Sequence, residues 1–187
     1  MSETIDITSG ASTPSEWWSR LPKNDPFYID GYHTPEYGLI WNFHGEHQYL
    51  SNFCHSPIIY DNKEYQTVEH LYQALKTVDP DWHEKIRTSD GPGLSKKYGR
   101  ECPMRHNWEH IKFTIMRACL ARKFAIPEFK KKLLDTGYTY LIEGTTWHDN
   151  EYGICIKKEC KRCADKTGSN MLGILLMEKR RKLAQET

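Results

Sequence analysis

No apolar run in this 187-residue sequence approaches the about 20 residues of a membrane-spanning helix, which excludes a transmembrane protein. The first residues are polar and acidic, without the basic start or the apolar stretch of a secretory signal. We therefore expect an intracellular protein, in the cytoplasm or the nucleus, without a membrane partner. No internal repeat and no linker divides the chain.

Evidence for a bound metal is sparse. With no secretion signal, we expect the six cysteines to be reduced thiols. Cys160 and Cys163 form one CxxC pair with Cys155 upstream, but no second pair and no histidine at finger-like spacing follows. A zinc site and a loop of free thiols both stay open as interpretations. We predict that catalysis needs no metal and no other cofactor.

An excess of charge of either sign is also absent. The formal net charge is +1, from 26 basic and 25 acidic residues, so global charge neither favours nor excludes a nucleic-acid partner. Local basic clusters occur at 130–132 and 179–182. Solvated helix faces explain such clusters, and a phosphate-rich partner is the alternative.

Aromatic residues are abundant at 12% of the chain, which together with aliphatic helix segments supplies material for one core. We expect a disordered tail over 1–15, an irregular arm over 16–38 and a single catalytic domain over 39–187. Short strands come early and form an antiparallel hairpin, while helices dominate later, so we predict a mostly helical α+β fold. The predicted strands lie at 39–43, 57–60 and 64–65. The predicted helices lie at 67–76, 82–87, 107–124, 127–134 and from 170 or 171 onward, with loops at 90–93 and over most of 144–169.

The first predicted helix, at 67–76, combines an apolar stripe with a polar one. Thr67 is a plausible N-cap. Seven residues return an α-helix almost to the same azimuth, so Glu69, Gln73 and Lys76 share a face, beside Tyr72. At the edge of a core, the carboxylate can act as a general acid or base and the amine as a Schiff-base nucleophile. An ordinary surface Glu and Lys remain the alternative.

A polar loop at 145–153 contains two aromatic residues, Trp147 and Tyr152. Aromatic side chains in such a loop can stack a base or line a sugar pocket. Asp149 can bind ribose hydroxyl groups or assist proton transfer. A buried tryptophan with a capping aspartate explains the same residues.

Small and polar residues begin the last predicted helix, among them Gly168, Asn170 and Gly173. Free backbone N–H groups at a helix N-terminus favour phosphate, and glycine allows a ligand to approach. Ordinary N-capping is the alternative.

The segment 50–53 places polar residues between apolar ones. Ser51 and Asn52, followed by Phe53, can turn toward a ligand cavity, although a simple turn explains the segment equally well.

Five motifs, in this order, resemble the NADAR family of N-glycosidases. The similarity spans about residues 39–184 and leaves 1–38 outside. The motifs are LSNF at 50–53, TVEHLYQALK at 67–76, NWEHIK at 107–112, the loop at 147–153 and GSNMLGILLMEKR at 168–180.

The resemblance implies a helical α+β domain that cleaves N-glycosidic bonds. It implies that Glu69 is the acidic catalytic residue and that Lys76 is the possible nucleophile at sugar C1. Asp149 aligns with an acidic position of the late loop, and Trp108 with an aromatic position. Asn170 and Gly173 match the terminal-helix motif.

Family activities implied by the resemblance define the predicted substrates. First is removal of ADP-ribose from ADP-ribosylated guanine in DNA, which makes ADP-ribose or ADP-ribosylated guanine nucleotides the partners, with no obligate protein partner. Hydrolysis of phosphoribosylamino intermediates of riboflavin biosynthesis is the second. Binding of ADP-ribose without turnover is a third, non-enzymatic alternative, which would need neither Glu69 nor Lys76.

This chain departs from the family pattern at two places. Many relatives have an acid after the glycine of the late loop, where this chain has Ile154. The role of that carboxylate would therefore fall to Asp149 or be absent. The segment 155–163 is an insertion outside the family pattern.

Overall fold

The structure, a computed structural model, describes residues 38–157, 160–163 and 168–186. The predicted tail and almost all of the predicted arm lie outside the described residues. Among those described, no helix is long and apolar enough to cross a membrane. The intracellular location, the domain boundary at residue 38 and the absence of an obligate protein partner stay predictions.

Short strands and more extensive helices make up the regular structure, which confirms the mostly helical α+β prediction. The strands are β1 (Leu39–Ile40), β2 (His55–Tyr60), β3 (Lys63–Thr67), β4 (Tyr140–Leu141), β5 (Gly144–Thr145) and β6 (Ile154–Cys155). The helices are α1 (Val68–Ala74), α2 (Pro80–Arg87), α3 (Gly91–Glu101), α4 (Trp108–Lys123), α5 (Pro127–Asp135) and α6 (Met171–Gln185), with a 3₁₀ segment at Gly45–Leu50.

The described residues fall into two compact units. One contains residues 38–43 and 138–177, and the other contains 44–137 and 178–186. Each unit is described by itself below.

The larger unit begins with the predicted hairpin, in which β2 and β3 pair antiparallel. Asp61 and Asn62 form its turn with φ of 50° and 58°. Aspartate and asparagine tolerate this left-handed region, and two such residues give the turn that suits the twist of a hairpin. Ile58 and Tyr65 pair across the ladder and are both buried.

Helix α1 follows the hairpin directly and is shorter than predicted. The Thr67 hydroxyl accepts a hydrogen bond from the His70 N–H at 3.2 Å, which confirms the predicted N-cap. The helix ends at Ala74, so Lys76 lies in the turn beyond it. Arg105 explains this end, since its Nε donates to the Leu75 oxygen and its N–H to the Lys76 oxygen, each at 2.8 Å.

The predicted loop at 90–93 is wrong, because α3 begins at Gly91. Pro92 lies in the first turn, where a missing N–H costs nothing and a fixed φ suits the helix. The Gly-Pro-Gly run therefore begins an eleven-residue helix instead of forming a loop. Helix α3 packs on α1, and Gly99 lies against the Gln73 side chain.

Helices α2, α4, α5 and α6 confirm the corresponding predictions within a few residues of their ends. The basic cluster at 130–132 lies on α5, where Lys131 pairs with Asp135 at 2.6 Å and Lys132 pairs with Glu128. Arg180 of the second cluster is buried and donates to the Thr136 hydroxyl at 2.7 Å. These pairs support the solvated-face interpretation of the first cluster and give one member of the second a structural role.

The smaller unit differs most from the predicted pattern. Strand β1 is only two residues long and pairs parallel with β4, and β5 pairs parallel with β6 inside the predicted loop of 144–169. Each pair joins segments that are distant along the chain or separated by an irregular loop. Two residues are too few for an alternating pattern, so local sequence does not predict such pairs.

Candidate active site

Glu69 is a carboxyl group enclosed by its own helix and by α3. It is 4% exposed, and the Gln73 Nε2 donates to its Oε1 at 2.7 Å. Burial raises the pKa of Glu69, since desolvation disfavours the charged form. Glu69 therefore keeps its proton to a higher pH than an exposed glutamate, as a general acid requires.

Three cations oppose the increase that burial causes in the pKa of Glu69. Lys96 lowers the pKa of Glu69 most among them, and Lys76 and Arg100 add to its effect. Lys96 and Arg100 both lie on α3, the helix that the sequence pattern did not indicate. The site therefore combines a buried acid with three cations that influence it electrostatically, a combination that also suits an anionic ligand.

Lys76 lies against two aromatic rings. Its Nζ is 5.8 Å from the centroid of Tyr72 and 5.6 Å from that of Trp108, and the two rings are 5.1 Å apart at an interplanar angle of 58°. Burial lowers the pKa of Lys76, and the charge of Glu69 raises it by less. A lowered pKa leaves more of the amine neutral, the form that attacks carbon.

The segment 51–53 lies close to Glu69 and Lys96. The backbone oxygen of Asn52 accepts a hydrogen bond from the Glu69 N–H at 3.0 Å, and the Phe53 ring centroid lies 5.6 Å from Lys96 Nζ. Asn52 Oδ1 and Gln73 Oε1 are buried without a hydrogen-bond donor among the described residues. An unpaired buried acceptor costs about 1–3 kcal/mol, so these two oxygens are candidate ligand contacts.

Ser51 has a role within the fold. Its Oγ accepts from the Phe53 N–H at 3.1 Å, and its backbone oxygen accepts from Lys123 Nζ at 2.7 Å. Lys123 is fully buried, and desolvation lowers its pKa to about 8. Together these bonds hold the segment that contains Asn52 and Phe53.

Asp149, in the smaller unit, organises the late loop. Its Oδ1 accepts from the N–H groups of Glu151 and Tyr152, both at 3.0 Å. Trp147 is 51% exposed. The capping interpretation thus accounts for Asp149 Oδ1, whereas a catalytic role of Asp149 and binding roles of Trp147 and Tyr152 stay predictions.

The start of α6 is fixed by bonds within the protein. The N–H groups of residues 169–172 donate to the backbone oxygens of residues 150–153 at 2.8–3.3 Å. The Asn170 side chain is buried between the Glu143 N–H and the Leu141 oxygen, at 3.1 and 2.9 Å. These donors are already used, so we do not assign phosphate binding to this helix end.

Gly168 and Gly173 have packing reasons to be glycine. A Cβ atom on Gly173 would lie 2.1 Å from the Leu141 oxygen, and one on Gly168 would lie 2.7 Å from Ile154 Cγ1. Substrate binding by either glycine stays a prediction.

His148 and three cysteines form a second group that is able to hold a ligand. The His148 Nδ1 and the Sγ atoms of Cys155, Cys160 and Cys163 all lie within 4.8 Å of one another. No histidine follows the CxxC pair in the sequence, and the histidine that faces the pair, His148, precedes it in the chain.

Sequence reasoning located one part of the acid–amine site and missed another. The larger unit brings together Glu69, Gln73, Tyr72, Lys76, Trp108, Asn52 and Phe53, all of which were predicted. Ser51, which was also predicted, lies in the larger unit as well, whereas Asp149, Trp147, Tyr152, Gly168, Asn170 and Gly173 belong to the other unit. Lys96 and Arg100 were missed; the only available signal was their spacing of four residues, which places both on one helix face.

Comparison with known proteins identifies the relatives of this chain. The N-glycosidase YbiA of Escherichia coli is 37% identical over 144 residues, which are 73% of this chain and 82% of that protein. An N-glycosidase of Nostoc punctiforme is 30% identical over 152 residues, covering 77% of this chain and 88% of that protein. A riboflavin biosynthesis protein of Vibrio vulnificus is 29% identical over 146 residues, but these are only 36% of its length.

The fold agrees with these relationships. The NMR structure of Escherichia coli YbiA matches with a TM-score of 0.66 at 35% identity, covering 79% of this chain and 84% of that one. A family model described as the NADAR domain matches residues 32–184, most of the chain. The chain therefore belongs to the NADAR domain family.

Proposed function

We propose that this protein is an N-glycosidase that hydrolyses a bond between a ribosyl C1 and a nitrogen atom. The observation that carries the proposal is the Glu69 carboxyl group, whose pKa is raised by burial, near the Lys76 amine, whose pKa is lowered by burial. An acid whose protonated form is favoured, near an amine whose neutral form is favoured, is a pair suited to acid-assisted covalent catalysis. The names of the Escherichia coli and Nostoc relatives support the bond type.

The proposed reaction divides the work between the two groups. When the C1–nitrogen bond breaks, its electron pair goes to the leaving base, which takes the proton of Glu69. The Lys76 amine then bonds to C1, the proton that it releases returns to Glu69, and ring opening gives an imine. Water adds to the imine, the sugar leaves with a C1 hydroxyl group and Lys76 returns to its free form. The net change is the addition of one water molecule across the C1–nitrogen bond.

Our first candidate substrate is ADP-ribose attached to guanine in DNA. Lys96 and Arg100 supply positive charge for phosphate oxygens, and Phe53, which is 40% exposed, supplies a face for stacking beside Lys96. The unpaired Asn52 and Gln73 oxygens suit the hydroxyl donors of ribose.

A second candidate substrate is a phosphoribosylamino intermediate of riboflavin biosynthesis. The Vibrio vulnificus relative, named a riboflavin biosynthesis protein, favours it. The same acid, amine and cations serve this smaller ligand, which presents a single phosphate group.

Activity assays with each substrate separately distinguish these two candidates from each other and from a protein that binds ADP-ribose without turnover. The protein is incubated with DNA ADP-ribosylated on guanine, or with a phosphoribosylamino pyrimidine, and the released sugar phosphate is quantified by mass spectrometry. We expect release of free ADP-ribose from the DNA. Release only from the pyrimidine would select the second candidate. Tight ADP-ribose binding with no turnover of either compound would show a reader and refute the N-glycosidase proposal.

A further inference from the structure

We propose that His148, Cys155, Cys160 and Cys163 form a structural zinc site. The four residues belong to the smaller unit, and all of them lie in the part of the chain that the structure describes. The proposal is independent of the N-glycosidase proposal, because none of the four residues takes part in the acid–amine chemistry.

The distances between the four ligand atoms fit one tetrahedral ion. The His148 Nδ1 lies 3.1 Å from Cys160 Sγ, 3.5 Å from Cys163 Sγ and 3.9 Å from Cys155 Sγ. Zinc bonds of about 2.3 Å to sulfur and about 2.0 Å to nitrogen place tetrahedral nitrogen and sulfur ligands about 3.5 Å apart. The largest separation in the group, 4.8 Å or less, leaves only a small adjustment.

Three separate segments of the chain supply the four ligands of this group. Cys160 and Cys163 are brought to one side by a tight turn, in which the Cys163 N–H donates to the Cys160 oxygen at 3.0 Å. Cys155 lies in β6, and its backbone N–H donates a hydrogen bond to Asn150 Oδ1 at 2.9 Å. The ligands thus come from a strand, a turn and a separate loop, an arrangement that the sequence spacing alone does not specify.

His148 has a backbone conformation that requires compensation. Its φ of 71° lies in the left-handed region, which a residue with a Cβ atom rarely adopts. Strain of this kind persists where surrounding interactions over-determine the geometry, and it is typical of ligand sites. A bond from Nδ1 to a metal ion supplies such an interaction.

The three cysteines are almost completely buried, with exposed fractions of 0%, 5% and 2% for Cys155, Cys160 and Cys163. Three thiolates and one imidazole are a common ligand set of structural zinc, which fills all four positions and leaves none for catalysis.

The zinc site would fix the loop at 147–153. Trp147 and Asp149, both predicted site residues, flank the ligand His148 in the chain. Zinc binding would therefore hold their backbone through His148, while the ion itself stays outside the chemistry.

Metal content of the purified full-length protein tests the proposal. We expect about one zinc ion per chain by inductively coupled plasma mass spectrometry. The variants Cys160→Ser and Cys163→Ser are expected to weaken zinc binding by more than about 100-fold. Cys54→Ser, a thiol outside the group, is the matched control and is expected to retain the metal.

Two further measurements keep the test valid where a serine variant fails to fold. His148→Cys changes the ligand set to four thiolates and is expected to bind zinc and remain folded. Cobalt(II) added to chelator-treated wild-type protein is expected to give the visible absorption of tetrahedral cobalt thiolate, and zinc is expected to remove it. Wild-type protein that, after full reduction, binds neither zinc nor cobalt would overturn the proposal, as would unchanged zinc content in folded Cys160→Ser.

Discussion

At the scale of single residues, the enclosure of Glu69 determines both its chemistry and its stability effect. A carboxyl group with a raised pKa is a better proton donor at neutral pH, but the same burial disfavours its ionised form. Folding stability and catalysis therefore place opposite demands on this residue, as they do in many active sites.

The substitution Glu69→Gln removes the transferable proton and keeps the shape of the side chain. We expect kcat to fall by about 10²–10⁴-fold, the usual contribution of general acid–base catalysis. Glu101→Gln, an exposed carboxylate at the end of α3, serves as the control and is expected to keep full activity. Sugar release by Glu69→Gln at the wild-type rate would exclude the acid role.

The same variant is expected to be more stable than the wild type at pH 8, by about 1 kcal/mol. Because the folded pKa of Glu69 is raised above 4.5, its stabilising effect is present below that pH and is lost as the pH rises through the folded pKa. The difference between variant and wild type should therefore shrink toward pH 4.5. Urea unfolding at several pH values measures it, and a difference that widens toward acid would contradict the buried-acid assignment.

Lys76 provides a second test at this scale. Borohydride reduction during turnover is expected to trap a sugar adduct on the wild-type protein, and Lys76→Arg, which keeps the charge but forms no stable imine, should give none. Lys85→Ala is the control, since Lys85 also lies over two aromatic rings, at 4.3 Å from each centroid. Peptide mapping locates the adduct, and trapping that survives in Lys76→Arg would exclude the nucleophile role.

At the scale of elements, the site depends on how closely α1 and α3 approach. Gly99 permits this approach, since a Cβ atom there would lie 2.0 Å from Gln73 Oε1 and 2.9 Å from Gln73 Cβ. Gln73 bonds to Glu69, so the packing that places Lys96 and Arg100 also positions the acid.

We expect Gly99→Ala to reduce the free energy of unfolding by about 1–3 kcal/mol, because a contact with Gln73 Cβ is not relieved by turning the amide alone. Activity should fall with it as the cations move away from Glu69. Gly93→Ala in the same helix meets nothing within 4 Å and should be neutral or stabilising by about 0.4–1 kcal/mol. Thermal unfolding compares the pair, and equal stability of both variants would contradict the close packing of α1 and α3.

At the scale of the whole molecule, the buried His70 and the half-buried His83 make the free energy of unfolding depend on pH. Burial lowers the pKa of His70, whose ring bonds to the Thr67 hydroxyl at 2.9 Å and the Ser89 oxygen at 3.2 Å. Burial likewise lowers the pKa of His83, whose Nε2 lies 2.6 Å from the Tyr65 hydroxyl. Burial therefore favours the neutral form of both rings.

Lowered folded pKa values mean that the unfolded chain binds more protons just below pH 6.5. Stability is then fully present above pH 6.5 and is lost as the pH falls through the folded values, by at most about 1.4 kcal/mol per pH unit for each histidine. His70→Gln should flatten this dependence in urea unfolding between pH 7 and pH 5, while His106→Gln, an exposed control, should not. An unchanged slope in His70→Gln would show that His70 does not contribute.

The sequence by itself determined the elements whose evidence is local. Apolar spacing indicated the helices α1, α4 and α6, short strands on either side of an Asp-Asn turn indicated the hairpin, and the ordered motifs indicated the family and the Glu69–Lys76 pair. Only the tertiary structure decided which distant residues meet. It placed Lys96 and Arg100 at Glu69, paired two-residue strands and turned His148 toward three cysteines. The reason is physical: periodicity reports which face of an element is buried, whereas a contact between elements depends on the path of the whole chain.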